Sequence, residues 1–335
     1  MIVPNPTLDA ALDEAAARIA AGRLVAFPTE TVYGLGADAS NPAAVARIFA
    51  AKGRPSDHPL IVHLALDTDP SQWAREVPAL AARLIERFWP GPLTLILPRR
   101  DGIGEVAAGG QDSIGLRCPS HPVAQALLER HASSRRRDDA SVASGLAAPS
   151  ANRFGHVSPT SAAHVRDEFP GLVRDDDLLV VDGGDCPFGI ESTIVDCTRL
   201  STMGPVLLRP GSVTAAMLAE VVGAEPRGAD REAPRASGLL ASHYAPTTPL
   251  RLVDGAALST ATDDVVVWSL SSDAPDTAGR HRAPRDATRY AHELYASLRA
   301  LDAMGAREIW IERPPTTPDW AGVNDRLMRA AAAKC

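Results

Sequence analysis

Lys52 and Arg54 stand two residues apart in Lys52-Gly-Arg-Pro-Ser-Asp-His-Pro-Leu-Ile-Val-His63, a segment framed by Pro55 and Pro59. Each proline removes an amide donor and restricts the residue before it, so this cannot be an ordinary helix. The two cations project from a stiffened loop, which is how a chain holds a polyanion at fixed geometry. Arg54 suits a bidentate grip on phosphate and Lys52 a point charge. His63 closes the apolar run and is placed to wall a pocket.

Other segments repeat this logic. Pro28-Thr-Glu-Thr-Val-Tyr-Gly-Leu-Gly36 follows a buried run, and its hydroxyls on Thr29, Thr31 and Tyr33 read as a cradle for a small polar ligand. Ile114-Gly-Leu-Arg-Cys-Pro119 puts Arg117 near the end of an otherwise buried strand, where a charge is costly unless paired. Its partner is an internal carboxylate or a ligand carboxylate, and the ligand is the preferred reading. Ala148-Pro-Ser-Ala-Asn-Arg153, followed by Ser158, carries short polar side chains; Ser150 and Asn152 suit phosphate oxygens or a ribose. Gly189-Ile-Glu-Ser-Thr193 continues the theme, and Arg209-Pro-Gly211 adds a third rigidly framed arginine. Phe88-Trp-Pro-Gly-Pro-Leu-Thr94 reads as a structural turn. There is no Walker motif, no catalytic carboxylate pair and no nucleophile elbow. Positioning plus electrostatic stabilisation, the mode of phosphoryl and nucleotidyl transfer, fits better than covalent catalysis.

The elements that must position these residues can be read coarsely. Apolar periodicity predicts helices over 8–21, 42–51 (capped by Asn41), 78–88, 121–131, 161–169 and 214–222. Short apolar runs predict strands over 24–28, 60–64, 93–97, 113–117, 178–182, 193–196 and 206–208. Residues 29–39 read as a polar turn region and 132–141 as a surface loop. Residues 223–248, rich in Gly, Pro and Ala, read as a linker. A second αβ unit comes next, with strands at 265–270 and 308–312 and helices at 286–304 and 323–332. Element edges converge in open α/β sheets. Lys52, Arg54, Arg117 and Arg209 are therefore expected around one crevice that suits a nucleoside triphosphate and a separate carboxylate.

A chain of 335 residues has room for two domains. A formal net charge of -7 argues against a protein that coats itself with nucleic acid. The four cysteines form no CxxC pair, which disfavours a zinc ribbon and fits a reducing, cytoplasmic setting. No signal peptide and no apolar run long enough to span a membrane are read.

In order, PTETVYGLG, KGRPSDHPLIVH, WPGPLTLIL, GLRCP, APSAN, GIESTIVD and LLRPG closely resemble the YrdC-type L-threonylcarbamoyladenylate synthases over about residues 10–213. Ser237-Gly-Leu-Leu-Ala-Ser-His-Tyr-Ala-Pro246 and the αβ unit after it resemble the long, two-domain form. The resemblance implies an open twisted mixed α/β sheet with a positive concavity at 1–213, a linker and possible lid at 214–248, and a smaller Rossmann-like domain at 249–335. It implies that L-threonine, bicarbonate and ATP, with Mg²⁺, give threonylcarbamoyl-AMP and pyrophosphate. A downstream transferase then passes the threonylcarbamoyl group to an adenosine beside the tRNA anticodon, so tRNA is an indirect partner. Thr31, Tyr33, His63, Arg117, Ala148 and Ser192 would take threonine. Lys52, Arg54, His58, Ser113, Ser150, Asn152, Ser158, Arg209, His243 and Tyr244 would take ATP, with Lys52 and Arg54 also stabilising developing charge. His58 stands where the family usually has asparagine. Two rivals share the fold: a double-stranded RNA-binding module, and a carbamoyl-transfer domain like those of hydrogenase maturation factors.

Overall fold

Asn41 starts the helix that carries Lys52. Its side chain accepts from the amides of Ala43 and Ala44 at 3.1 and 3.2 Å, Pro42 fills the first turn, and Gly53 at φ +62° ends it. Such a cap contributes about 1 kcal/mol, and the left-handed glycine turns the chain so that Arg54 leaves the helix axis. The computed structural model describes residues 6–138, 143–271 and 279–332.

The first half runs α1 (Pro6–Ala20), β1 (Leu24–Phe27), β2 (Gly34–Asp38), α2 (Pro42–Lys52), β3 (Ile61–His63), α3 (Ala79–Phe88), β4 (Leu93–Pro98) and β5 (Ser113–Arg117). It continues through α4 (Pro122–Asp138), β6 (Leu146–Ala147), α5 (Ala162–Glu168), α6 (Pro170–Arg174), β7 (Leu178–Val180), β8 (Thr193–Asp196), α7 (Leu200–Met203), β9 (Val206–Arg209) and α8 (Ala215–Val222). β10 (Arg227–Gly228), β11 (Leu250–Val253), β12 (Val265–Ser269), β13 (Arg280–Arg282), α9 (Ala287–Asp302), β14 (Glu308–Glu312) and α10 (Ala321–Ala331) complete the chain.

Among the described residues the strands form two sheets. One is mixed, in the order β10-β9-β8-β4-β5-β3-β6-β2-β1-β7. The other is parallel, in the order β11-β14-β12-β13. The mixed α/β sheet with a smaller Rossmann-like second sheet is the architecture read from the motifs. The core of the large sheet is aliphatic and alanine-rich, with Leu35, Ile48, Leu95 and Leu116 at its centre. A Leu or Ile there costs about 2–5 kcal/mol when cut to alanine.

Four local expectations are corrected. Residues 34–38 form a strand, not a turn: β2 pairs antiparallel with β1, so a glycine-rich run is carried by its neighbour rather than by propensity. The helix at 122 does not stop near 131 but continues to Asp138. Buried Ala132 and an Arg135–Asp38 ion pair at 3.7 Å hold a polar segment helical; residues 139–142 lie outside the described residues. The expected linker adds β10 to the large sheet beside β9, and Leu218 of α8 shares the first core with Leu84 and Phe88. β10 and α8 thus pack with the large-sheet unit. Finally, β11 and β13 are strands not expected above: β13 is an Arg-His-Arg edge strand with no apolar signal, and β11 is a four-residue Leu-Arg-Leu-Val run directly after the linker.

Candidate functional site

β3 and β5 run parallel, and His63 faces Arg117 in register. Ile61 shares the face of His63 by the two-residue period of a strand. Thr29 and Thr31 follow β1, Gly34 opens β2, Ala148–Ser150 leave β6, Glu191–Ser192 lead into β8, and Arg209 closes β9. All of these line one cavity, with Arg54 from the far side and Ser237, Gly238, His243 and Tyr244 from the linker.

The polar groups of the cavity are heavily engaged. Arg209 donates through Nε to Ser192 O (3.0 Å), through Nη2 to Ser192 Oγ (3.2 Å) and through Nη1 to Ser237 O (2.9 Å). Ser192 Oγ also lies 2.8 Å from Thr94 Oγ1. Arg54 donates through Nη2 to Pro59 O (2.8 Å) and Ser237 Oγ (3.2 Å), and stands 5.7 Å from the Phe154 ring centre. Burial, with Arg209 nearby, lowers Arg54 to about 10. Ser237 is therefore laid across both arginines, offering each an oxygen. Thr31 Oγ1 sits 2.9 Å from Thr29 Oγ1, whose hydroxyl donates to Val32 O at 2.7 Å.

Arg117 lines the cavity and also has a partner within the protein. Its Nη2 donates to Glu30 Oε1 at 2.6 Å and its Nε to Gly91 O at 3.3 Å, with both side chains of the ion pair buried. The partner of this arginine is an internal carboxylate, Glu30, which stands unremarked inside the Pro28–Gly36 motif. The Phe88–Thr94 turn, with a cis Trp89–Pro90 peptide, supplies the Gly91 carbonyl.

Several other expected ligands stand behind the wall. Lys52 is buried, and its Nζ lies 2.5 Å from both Ser150 O and Asn152 O. Burial, then Arg54, pushes it well below the ordinary lysine range. Its structural work is to clamp the Ala148–Arg153 loop. Asn152 turns its amide to Arg153 O and His156 O, and Ser158 Oγ donates to Glu191 Oε1 at 2.6 Å. The Tyr33 hydroxyl donates to Gly184 O at 2.8 Å, so it belongs to the core. Ser113 begins β5, four residues and about 13 Å of strand from Arg117. In this structure Lys52, Asn152, Ser158 and Tyr33 hold the protein's own loops.

His63 and His243 are different. Each is buried on the cavity wall, and Nδ1 of each lacks a hydrogen-bond partner in the protein. Burial and then Arg117 push His63 down to about 3. Burial, with Lys52, Arg54 and Arg209 behind it and Glu191 opposing, brings His243 to about 3. Both are neutral when folded. The unfolded chain binds their protons first, so they contribute stability that is complete above pH 6.5 and is lost as pH falls toward 3. Thermal unfolding at pH 5 should therefore lie well below that at pH 7.5, with a slope of up to about 1.4 kcal/mol per pH unit for each histidine. A flat profile across pH 7.5–5 would exclude two buried neutral imidazoles.

Glu191 is the main residue that the motifs do not flag. Burial alone would raise its carboxyl, but Arg326, Arg209 and Ser158 hold it at about 2. Oε2 accepts from Tyr295 (2.8 Å) and Arg326 (2.9 Å), both from the second domain. The clue is a charge set just before a buried strand, the same signal that singles out Arg117.

The cavity encloses about 40 Å³, against the ~300–1,000 Å³ of sites that hold drug-sized ligands. Next to it lies a second chamber of about 170 Å³ that shares Arg54, Gly238 and His243 and is walled by His58, Phe154 and Leu239. His58 stands edge-on to Phe154 at 5.4 Å. Ser237–Gly238 is the partition between the chambers. Gly238 has φ +78°, and a β-carbon there would come within 2.0 Å of Tyr244 Oη and 2.7 Å of Arg209 Nη1. Gly238→Ala should therefore loosen the packing of this segment on Tyr244 and Arg209. A strain of about 1–2 kcal/mol raises the fraction of molecules with this packing undone roughly tenfold, read as faster proteolysis within residues 229–240. An unchanged cleavage rate would contradict this packing.

A family model named for Sua5, YciO and YrdC, described as telomere recombination, matches residues 17–211. The chain belongs to this family. A second model, described as the C-terminal domain of threonylcarbamoyl-AMP synthase, matches residues 213–332. A Bacillus subtilis threonylcarbamoyl-AMP synthase is 37% identical over 98% of this chain and 95% of its own length. The Pyrococcus abyssi threonylcarbamoyl-AMP synthase is 44% identical over 72% of this chain and 67% of its own. A crystal structure of Pyrococcus abyssi Sua5 complexed with L-threonine superposes with a TM-score of 0.82 at 36% identity, covering 96% of this chain and 94% of that one. The long, two-domain organisation of this family member is thus shared across both domains. Among its described residues no helix is long and apolar enough to cross a membrane.

Proposed function

We propose that this chain is an L-threonylcarbamoyladenylate synthase. The observation that carries the reading is the division of one cavity. Arg54 and Arg209 converge on the two oxygens of Ser237 at one side, and Arg117, His63 and Thr31 form the other. A polyphosphate fits the first grip and a small amino acid the second. Relatives that share both domains carry the synthase name, and one was solved with L-threonine.

In this reading threonine's carboxylate meets Arg117, held in place by Glu30, while its hydroxyl meets Thr31 and the open Nδ1 of His63. Its amine attacks bicarbonate, forming a carbamate and releasing water. A carbamate oxygen then attacks the α-phosphorus of ATP, and the α–β bridging oxygen departs with pyrophosphate. Arg54 and Arg209 stabilise the charge that develops on the phosphates. The nucleobase takes the chamber beside His58 and Phe154. Glu191, the acid of the wall, has both oxygens occupied, and the described residues contain no cluster of three His, Cys, Asp or Glu side chains suited to a metal. Mg²⁺ would enter as part of the MgATP substrate, where it would shield the phosphate charge. Closure of 237–244 would keep the labile carbamate from water. Delivery of the product to a cytoplasmic transferase that modifies tRNA completes the reading.

Pyrophosphate release is expected only when ATP, bicarbonate and L-threonine are all present, with threonylcarbamoyl-AMP as the co-product. Release that ignores the amino acid would overturn the proposal.

A further inference from the structure

Arg326 lies on α10 of the second domain, yet it is spent on the wall of the first. Its Nε donates to Glu191 Oε2 at 2.9 Å, its Nη2 to Glu191 O at 3.2 Å and its Nη1 to Pro210 O at 2.7 Å. Gly322, one turn earlier on the same face, makes the approach possible: a β-carbon there would meet Ile190 Cδ1 at 2.8 Å. Arg326 thus grips the residue before Ser192 and the residue after Arg209. Arg209 in turn holds the Ser192 carbonyl and hydroxyl. Glu191 and Arg209 line the same cavity.

A buried carboxylate without a cation is costly, so Glu191 must find one. If Arg326 were absent, the cations left to act on Glu191 would be Arg209, which lines the same cavity, and Lys52, already clamped by two carbonyls. We propose that Arg326 is a positioning residue for the nucleotide site: it takes up the charge of Glu191 so that Arg209 stays available to an anionic ligand. The second domain thereby sets the net charge of a site that lies in the first. This rests on the reading of Arg209 as a phosphate contact.

The test compares the full-length wild type, Arg326→Gln, Arg326→Lys and the double variant Arg326→Gln/Glu191→Gln in pyrophosphate release. Arg326→Gln should raise the KM for ATP roughly ten- to a hundredfold, as expected for loss of a charged contact, with the KM for threonine nearly unchanged. The double variant, which has no carboxylate to capture Arg209, should recover most of the loss. Arg326→Lys keeps the charge and should lie nearer the wild type. An unchanged ATP KM, equal shifts for both substrates, no recovery in the double variant, or Lys no better than Gln would each overturn the inference. A merely structural role predicts no recovery from removing a second buried partner. A crystal structure of Arg326→Gln decides independently of turnover: the Glu191 carboxylate should move onto the Arg209 guanidinium, and an unmoved Glu191 refutes the proposal. A wild-type chain that releases no pyrophosphate would instead fail the functional reading, leaving this structural outcome to decide the inference.

Discussion

Arg54→Ala should lower ATP-dependent pyrophosphate release by roughly 10²–10³, the range seen when one preorganised donor to developing charge is removed. Arg54 owes its aim to three devices. The left-handed Gly53 turns the chain off α2, Pro55 stiffens the loop on its C-terminal side, and the Pro59 carbonyl anchors one nitrogen. It is buried, so its field acts in a low dielectric. Truncation also leaves the Pro59 carbonyl unsatisfied, at about 1–3 kcal/mol, so circular dichroism and a melting curve belong beside the kinetics. Arg54→Lys retains the charge but loses the fork and should recover only part of the activity. Wild-type turnover in a folded Arg54→Ala protein would end the phosphate role.

Removing residues 237–335 should be still more damaging. The cut takes away Arg326 and Tyr295 from Glu191, Arg299 from Glu168 and Val157, and Tyr244 from Arg209. It also exposes Val32, Val157 and Ile190, which share one hydrophobic cluster with Tyr290, Leu294 and Leu298 of α9. Breaking a buried charge pair alone costs about 3–5 kcal/mol. That is a large part of the roughly 5–15 kcal/mol that typically holds a domain together. Residues 1–236 should therefore lose more than about a hundredfold in turnover and sediment as aggregates. A soluble fragment with full activity would refute the dependence on the second domain.

Much of this molecule is legible in its residues. Strand positions and the convergence of Arg54, Arg117 and Arg209 on one cavity follow from apolar runs and from cations at element edges. The linker's His243 and Tyr244 also reach that cavity. Sequence reasoning fails where a polar side chain serves the protein itself. Lys52 clamps two carbonyls, and Tyr33 reaches 150 residues along the chain. Such pairings are long-range, and composition carries no trace of them. Arg326 leaves a faint one: it sits at helical spacing among Val323, Leu327 and Ala330, on the buried face of α10.

The laying of Ser237 across Arg54 and Arg209 has a kinetic consequence. In the proposed reading, an incoming nucleotide competes with the hydroxyl and carbonyl of Ser237 for the same two guanidinium groups. If ATP capture waits on release of Ser237, the observed binding rate should level off as ATP concentration rises. The apparent affinity is then weaker than the intrinsic one by the fraction of time the grip is open. Changes to the tether could tune nucleotide affinity without touching any atom that meets the nucleotide.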